Sequence, residues 1–93
     1  MPTEWKLFAD LAEHAGEKHV TVHTDAGDTV GDAMDELFTI APDLESRVFD
    51  DGELRSQINV LRNGTNVVVE EEGLETELDD GDELALFPPV SGG

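Results

Sequence analysis

The sequence predicts an α+β domain in which a mixed sheet of four to five strands packs on one main helix. The first supporting pattern is the alternation of apolar and polar side chains at residues 19–24, which is typical of a half-buried strand. The second is helical spacing of apolar side chains at residues 30–41. The third is an apolar strand at residues 83–87, directly after an acidic turn. One amphipathic helix among several strands buries its apolar face on one sheet, which gives two layers.

The first two strands are predicted at residues 5–11 and 19–24. Residues 5–11 carry apolar side chains on both parities, as expected for a strand that is covered on both faces. Its core-facing set is expected to be Leu7, Ala9 and Leu11. Residues 13–17 are predicted to form a turn, so the two strands should form a hairpin.

The main helix is predicted to begin after Thr29, a favoured capping residue, with Asp32 three residues later in an acidic variant of the capping box. Its apolar face comprises Val30, Ala33, Met34, Leu37 and Ala41. Pro42 should end the helix, because proline lacks the backbone donor that a helix interior needs. Residues 44–49 are expected to add one short helical turn, followed by a loop at residues 50–52.

The second half of the chain should contribute strands at residues 58–62, 67–69 and 83–87. Asn63 and Gly64 form a strong tight-turn signal after the first of them. The apolar residues that should tether the loop before the last strand are Leu74 and Leu78. If the first and last strands are parallel central neighbours, the fold is a β-grasp; the residue pattern leaves that pairing open.

The chain has 23 acidic and 5 basic residues, a formal net charge of −18. Nucleic acids and anionic membranes attract proteins through Lys and Arg, so neither is an expected partner. So large a charge repels itself in dilute salt, and it suggests a protein adapted to a high-salt cytosol. We expect its melting temperature to change between low and molar salt, and an unchanged value would contradict this hypothesis.

A chain of 93 residues forms one small domain, which we place at residues 1–87, with an extended and flexible tail at residues 88–93. The absence of cysteine excludes disulfides, thiolate metal ligands and a thioester on the protein's own side chain. The N-terminus lacks the pattern of a signal peptide, and no segment approaches the ~20 apolar residues needed to span a bilayer. We therefore expect a soluble cytoplasmic protein that is monomeric when alone.

No cluster of side chains has the spacing of a metal or catalytic site. His19 and His23 are four residues apart on a strand, about 13 Å in distance, so together with His14 they are expected to face solvent rather than share an ion. The acidic runs at residues 70–72 and 79–82 lack the ligand spacing of a calcium loop, and we expect solvated turns. The chain also lacks the GxxxxGK, GxGxxG and GxSxG motifs, so no bound cofactor and no catalytic group of its own are predicted.

The last ten residues differ from the rest because they contain no charged side chain. Pro88 and Pro89 remove two backbone donors, so a strand that ends near Phe87 cannot extend its hydrogen-bonded ladder beyond them. The six residues after Phe87 can reach roughly 20 Å when extended. Gly92 and Gly93 lack a Cβ, which allows close approach of the backbone to a partner. The alternative is a frayed chain end.

The main-chain carboxylate of Gly93 is the most accessible functional group in the sequence. An ionised carboxylate is a poor electrophile, so Gly93 can donate its acyl group only after a partner converts it to a mixed anhydride, with ATP as the expected reagent. Catalysis then belongs to the partner. The activated acyl group can pass to a thiolate, to sulfide or to a lysine amine, and only Lys6 and Lys18 can accept a second copy through a side chain.

The segment GDELALFPPVSGG at residues 81–93 resembles the C-terminus of the molybdopterin-synthase small-subunit family. The similarity covers nearly the whole chain and includes residues 5–12, 29–33 and 59–64. The sequence as a whole resembles the small archaeal modifier proteins of haloarchaea, which are grouped with the thiamine sulfur carriers. The loops at residues 50–57 and 70–80 fit the family pattern least.

This resemblance implies a ubiquitin-like β-grasp fold and adenylation of Gly93 by a ubiquitin-activating-type enzyme that uses ATP. It implies two fates: a thiocarboxylate that donates sulfur for molybdopterin synthesis or tRNA thiolation, and an isopeptide bond to lysines of target proteins. Phe87 would dock the activating enzyme or the large subunit of molybdopterin synthase, whereas Leu84 and Leu86 are expected in the core. The residues implied in recognition of the tail are Pro88, Pro89, Val90, Ser91 and Gly92.

A different class of function also fits the sequence, namely a non-covalent β-grasp binding module with an inert tail. Deletion of Gly92 and Gly93 separates the two hypotheses. A modifier loses its conjugates and its thiocarboxylate, whereas a binding module keeps its binding unchanged.

Overall fold

The computed structural model describes residues 2–55 and 58–88. The elements in chain order are β1 (Pro2–Leu7), α1 (Asp10–Ala15), β2 (His19–His23), α2 (Val30–Ile40), α3 (Glu45–Val48), β3 (Phe49–Asp50), β4 (Glu53–Leu54), β5 (Asn59–Arg62), β6 (Thr65–Asn66), α4 (Val67–Glu70) and β7 (Glu83–Phe87). Single 3₁₀ turns cover Pro42–Leu44 and Gly73–Glu75.

Within the described residues, five strands form one mixed sheet in the order β2-β1-β7-β5-β6, while β3 and β4 form a separate ribbon. β1 and β7 lie side by side at the centre and run parallel, with Trp5 opposite Leu84 and Leu7 opposite Leu86. β2 and β5 flank this pair in antiparallel orientation. The first and last strands are therefore parallel central neighbours, and the predicted β-grasp is confirmed.

α2 packs its apolar face against the sheet, and its start follows from the predicted capping box. The Thr29 hydroxyl accepts the Asp32 backbone N–H at 3.2 Å, and the Asp32 carboxylate accepts the Thr29 backbone N–H at 3.0 Å. Trp5 of β1 donates its indole N–H to the Ala33 carbonyl oxygen at 3.1 Å, which links helix and sheet. The buried residues of α2 and its C-cap are Val30, Ala33, Met34, Leu37, Phe38 and Ala41.

Residues 5–11 do not form a single strand, so that prediction is wrong. β1 ends at Leu7 and α1 begins at Asp10, because the chain turns at Ala9, which has a positive φ of 54°. Leu7 and Leu11 are buried as predicted, but Ala9 is exposed. The connection from β1 to β2 is thus built around a helix, although the two strands pair antiparallel as expected.

Residues 67–69 belong to the single helical turn of α4 rather than to the predicted strand. A run of valines favours a strand by propensity, but the Asn66 side chain accepts the backbone N–H groups of Val68 and Val69 at 3.0 and 3.2 Å. This side-chain cap begins a short helix. The first valine of the run is buried and the next two are exposed, which fits a helical turn.

The segment between α4 and β7 packs beside the N-terminus of α2. Leu78 is buried and Leu74 is half-buried, so both tether the loop as predicted. The Leu78 N–H donates to the Asp28 carbonyl oxygen at 2.9 Å. A Cβ at Gly31 would lie 3.1 Å from the Leu74 carbonyl oxygen, a tight contact that would push this loop away by a few tenths of an ångström.

Candidate functional site

The candidate site is the C-terminal end of β7, because the predicted reactive tail follows this strand directly. Side chains alternate along β7, as in any strand. Leu84 and Leu86 are fully buried in the core, as predicted, whereas Ala85 and Phe87 are half-buried on the opposite face. β7 pairs with both β1 and β5, so the base of the tail is anchored at the centre of the sheet.

Phe87 stacks on Phe8, with ring centroids 4.0 Å apart and ring planes inclined by 10°. Phe8 directly follows β1 and Phe87 is the last residue of its parallel neighbour β7, so the two rings meet at the same end of the sheet. Phe8 is 38% exposed and Phe87 is half-buried, so the pair is accessible from solvent. A docking residue needs this accessibility, and the docking role of Phe87 stays a prediction. Phe8 was missed because residues 5–11 were expected to be one strand.

An apolar strip crosses the sheet face opposite the core and ends at this aromatic pair. We define the apolar strip as Leu61, Ala85, Phe87 and Phe8. Leu61 lies opposite Ala85 in the β5–β7 register. Toward the β2 edge the same face becomes polar, with Lys6 Nζ 3.0 Å from Glu83 Oε1. The strip is therefore narrow and leads toward Pro88.

Pro88 is the last residue of the described part of the chain, and it is half-buried directly after β7. The other predicted site residues lie outside the described residues; they are Pro89, Val90, Ser91, Gly92 and Gly93. Their roles therefore stay predictions, and so does the division into a domain at residues 1–87 and a tail at residues 88–93.

The other end of β7 is held by a charge network that the sequence analysis missed. Arg62 donates from Nε to Asp82 Oδ2 at 2.6 Å and from Nη2 to Asp79 Oδ2 at 2.9 Å. Its Nη1 donates to Glu71 Oε2 at 3.3 Å. Asp82 Oδ1 also accepts from Asn63 Nδ2 at 2.8 Å. Asp82 is only 8% exposed, so the expectation of a freely solvated turn is wrong at this residue.

This network shifts two pKa values. Burial by itself would raise the pKa of Asp82, but the hydrogen bonds from the Asp79 backbone N–H, the Asn63 amide and Arg62 outweigh it and lower that pKa below its ordinary value. The hydrogen bond to Asp82 raises the pKa of Arg62, despite the opposing effect of desolvation. Both groups are therefore charged at neutral pH, and the network acts as a structural cross-link.

The described residues contain no group of three or more His, Asp or Glu side chains that could hold a metal ion. His19 Nδ1 lies 3.5 Å from Glu4 Oε1, and His23 Nε2 lies 3.9 Å from Asp25 Oδ1. Both histidines are exposed, as is His14, so their predicted solvent-facing positions are confirmed. None of the helices in residues 2–55 and 58–88 is long and apolar enough to cross a membrane.

Comparison with known proteins extends the similarity to the whole chain. The ThiS family model matches residues 5–93. Small archaeal modifier protein 1 of Haloferax volcanii is 62% identical over 91 residues, which cover 97% of this chain and 99% of that protein. The crystal structure of SAMP1 from Haloferax volcanii matches with a TM-score of 0.91 and 57% identity over 100% of both chains.

The similarity also reaches a structure determined with a partner. A chain in the crystal structure of the Amycolatopsis orientalis BexX/CysO complex matches with a TM-score of 0.83 and 32% identity, over 98% of this chain and 99% of that chain. The fold described above, with a central parallel pair of first and last strands, is therefore shared with this set of small proteins.

Proposed function

This chain belongs to the ThiS family, and from this premise we propose that it is a ubiquitin-like protein modifier and sulfur carrier whose reactive group is the Gly93 carboxylate. The observation that carries the proposal is the extent of the family match, which runs from residue 5 to residue 93 and includes the terminal Gly92 and Gly93. The 62% identity to a small archaeal modifier protein supports the modifier role.

The position of β7 supports a role for the tail as the reactive part. β7 is hydrogen-bonded to strands on both sides and buries Leu84 and Leu86 completely. A segment that follows such a strand starts from a rigid base, so a partner can position the tail by binding the domain. The last ten residues carry no charged side chain, so inserting them into an enzyme requires desolvation of one charge only, the Gly93 carboxylate.

Activation takes place on a ubiquitin-activating-type enzyme, which binds the ATP. A carboxylate oxygen of Gly93 attacks the α-phosphorus of ATP, an O–P bond forms, and pyrophosphate leaves. The product is an acyl adenylate, in which the carbonyl carbon is electrophilic. The chain supplies the carboxylate alone, and it needs neither a bound cofactor nor a catalytic group of its own.

The acyl adenylate has two productive fates. Sulfide attacks the carbonyl carbon and AMP leaves, which gives a thiocarboxylate that donates sulfur for molybdopterin synthesis or tRNA thiolation. A deprotonated lysine amine of a target protein attacks the same carbon, which gives an isopeptide bond, AMP and a proton. Both reactions take place at the Gly93 carbonyl carbon, and the attacking nucleophile determines the product.

The apolar strip is the surface that docks the activating enzyme and the large subunit of molybdopterin synthase. Phe87 and Phe8 form the accessible aromatic part of this strip. Aromatic side chains are enriched among residues that dominate binding energy, because they bury a large apolar area. The structural match to a chain of the BexX/CysO complex supports association of this fold with a partner protein. We place these encounters in the cytoplasm, with a chain that is monomeric when alone.

The proposal is tested by intact-mass measurement after incubation of the full chain with the activating enzyme, ATP and a sulfur donor. The expected product is heavier by the replacement of one oxygen by one sulfur. A variant without Gly92 and Gly93 should show no mass change. Ile40→Ala, which replaces an exposed residue of α2 and leaves the whole tail intact, serves as the control and should still be converted.

The same experiment separates this function from a binding module with an inert tail. An inert tail predicts that the wild-type chain keeps its original mass and that deletion of Gly92 and Gly93 leaves partner binding unchanged. Loss of the mass change in the deletion variant, with retained conversion of the Ile40→Ala variant, assigns the chemistry to the terminal glycine.

A further inference from the structure

A cleft of about 460 Å³ lies beside Pro88, at the point where the described part of the chain ends. Two arginines line it, Arg47 from α3 and Arg55 from the segment after β4. Leu11 and Ile58 provide apolar lining, and Asp10 is the one acidic residue among the described lining residues. The tail therefore begins next to a small, basic cleft on a strongly acidic protein.

Neither of these arginines forms an ion pair with a carboxylate of the described residues. The chain has five basic residues, of which Lys6 and Arg62 form ion pairs with carboxylates of the chain. In the described residues, Arg47 and Arg55 form no ion pair with a carboxylate, although the chain contains 23 acidic residues. Two exposed guanidinium groups thus remain available to an external anion.

The arrangement of the cleft is held in place by hydrogen bonds. The Arg55 Nη2 donates to the Ser46 carbonyl oxygen at 3.1 Å, which keeps its side chain against α3 beside Arg47. The Arg55 backbone N–H donates to the Val48 carbonyl oxygen at 2.9 Å, so the main chain is also fixed. A pre-positioned guanidinium loses less conformational entropy on binding, which favours recognition of carboxylates.

We propose that this cleft binds an acidic segment on the surface of the enzyme that activates the tail. The two arginines favour an anionic ligand. The cleft lies next to Pro88, so the partner that binds residues 89–93 is the one that can supply this ligand. The five residues after Pro88 can span about 17 Å when extended, so an extended tail would hold a nucleotide at Gly93 well away from the cleft. The partner's carboxylates, rather than the phosphates of ATP, are therefore the ligand. This inference rests on the function proposed above.

The experiment measures the association rate constant of the full chain with the activating enzyme at several salt concentrations, with and without ATP. The test variant is the double substitution Arg47→Gln and Arg55→Gln. The matched control is the double substitution Ala26→Glu and Thr39→Glu, because it lowers the net charge by the same amount at exposed residues outside the cleft. The double substitution Arg47→Lys and Arg55→Lys keeps the charge but removes the bidentate geometry. Far-UV circular dichroism checks that every variant is folded.

The Gln variant should associate about tenfold more slowly than wild type at low salt, and the difference should shrink as salt rises. The Lys variant should be intermediate, and the Ala26→Glu and Thr39→Glu control should stay close to wild type. Equal rates for the Gln variant and this control overturn the inference. A Gln variant that associates faster than wild type also overturns the inference, because the cleft then holds the chain's own terminal carboxylate. An effect seen only in reactions with ATP overturns it as well, because the ligand is then a nucleotide.

Failure of this inference differs from failure of the proposed function. If the wild-type chain is converted to the thiocarboxylate while the Gln variant associates at the wild-type rate, only the cleft inference is wrong. If the wild-type chain neither associates with the activating enzyme nor changes mass, both are wrong.

Discussion

The two ends of β7 are built in opposite ways. We call the start of the strand the network end, formed by Arg62, Asn63, Glu71, Asp79 and Asp82. We call its finish the tail end, formed by Phe8, Phe87, Pro88, Arg47 and Arg55. At the network end the charges are paired and Asp82 is nearly buried, whereas at the tail end the rings are partly exposed and the arginines have no carboxylate partner among the described residues.

Under the function proposed above, this contrast separates stability from function within one strand of five residues. The network end joins residues that are 9 to 20 positions apart in the chain, so it cross-links β5 and the loop before β7. At the tail end the stacked rings stay partly exposed and the arginines have no carboxylate partner among the described residues, a state that costs little at an exposed surface. Because the network end fixes the start of β7, the base of the tail stays anchored while the residues of the tail end remain exposed to a partner.

Replacement of Arg62 by leucine tests the network end most severely. Asp82 would be left as a nearly buried carboxylate without its cation, and the loss of one partner of a buried pair typically costs about 3–5 kcal/mol of unfolding free energy. The measurement is urea unfolding at fixed salt. Arg47→Leu removes an arginine at the tail end and should change the unfolding free energy by less than about 0.5 kcal/mol. Similar losses of unfolding free energy in both variants would show that the network end does not stabilise the fold more than the tail end does.

The pH dependence of stability tests the same carboxylate without removing its partner. The folded pKa of Asp82 is lowered, so the folded state binds fewer protons at this site than the unfolded state between the two pKa values. Its contribution is complete above the unfolded value of about 3.9 and is lost as pH falls through the lower folded pKa.

The wild-type chain should therefore lose its stability advantage over Asp82→Asn as pH falls below about 4. Urea unfolding from pH 7 downwards measures this difference. The exposed neighbour Asp80 provides the control, since Asp80→Asn should track the wild type at each pH. A constant gap between wild type and Asp82→Asn over this range would show that the carboxylate is not responsible.

The parts of the fold that follow local rules were predictable from the sequence. The capping box at Thr29, the helical period of α2 and the apolar alternation of β7 each act within a few residues, and the structure confirms all three. The parallel pairing of β1 and β7 needs contacts across nearly the whole chain, so the pattern left it open. Ala9 and Asn66 show the limit of local rules, because one backbone turn and one side-chain cap overrode the strand propensity of their neighbours.

The candidate site was predictable to a different extent at each end of β7. The neutral tail stands out in an acidic sequence, so Gly93 could be singled out directly, whereas the docking role of Phe87 was implied only by the resemblance to the family. The Arg62 network could not, because its acidic partners resemble the many other carboxylates and only the folded chain brings three of them to one arginine. The cleft beside Pro88 likewise depends on α3 and the segment after β4, which are distant in sequence from the tail.

Removal of the aromatic pair at the tail end should have a moderate effect on the free energy of unfolding and on binding of the activating enzyme. Double-mutant cycles with Phe8→Ala and Phe87→Ala should give a coupling of about 0.5–1.5 kcal/mol in unfolding free energy, as for other stacked pairs. Each variant should also bind the activating enzyme more weakly. Ile40→Ala is the matched control, because it removes an exposed apolar side chain from α2 and should leave binding unchanged. Equal binding by Phe87→Ala and Ile40→Ala would remove Phe87 from the docking surface.

The smallest expected effect concerns which lysine accepts a second copy of the chain. Lys6 and Lys18 line the same groove beside Phe8, so a tail that approaches this groove meets both. Lys6 Nζ is bound to Glu83 at 3.0 Å, whereas Lys18 is exposed and has no ion pair within the described residues. Attack on the activated glycine requires a free amine, so Lys6 must first leave Glu83.

An exposed ion pair of this kind is worth about 0.2–1 kcal/mol, which corresponds to a preference for Lys18 of at most about fivefold. Tryptic digestion leaves a branch that begins at Asn63, because Arg62 is the last tryptic site, and mass spectrometry of this branch quantifies each linkage. Glu83→Gln should raise the share of Lys6 to that of Lys18, since it removes the charge that holds Lys6. Two results would show that the ion pair at the start of β7 does not control access to the Lys6 amine. One is a wild-type chain linked mainly through Lys6, and the other is a ratio of Lys6 to Lys18 linkages that Glu83→Gln leaves unchanged.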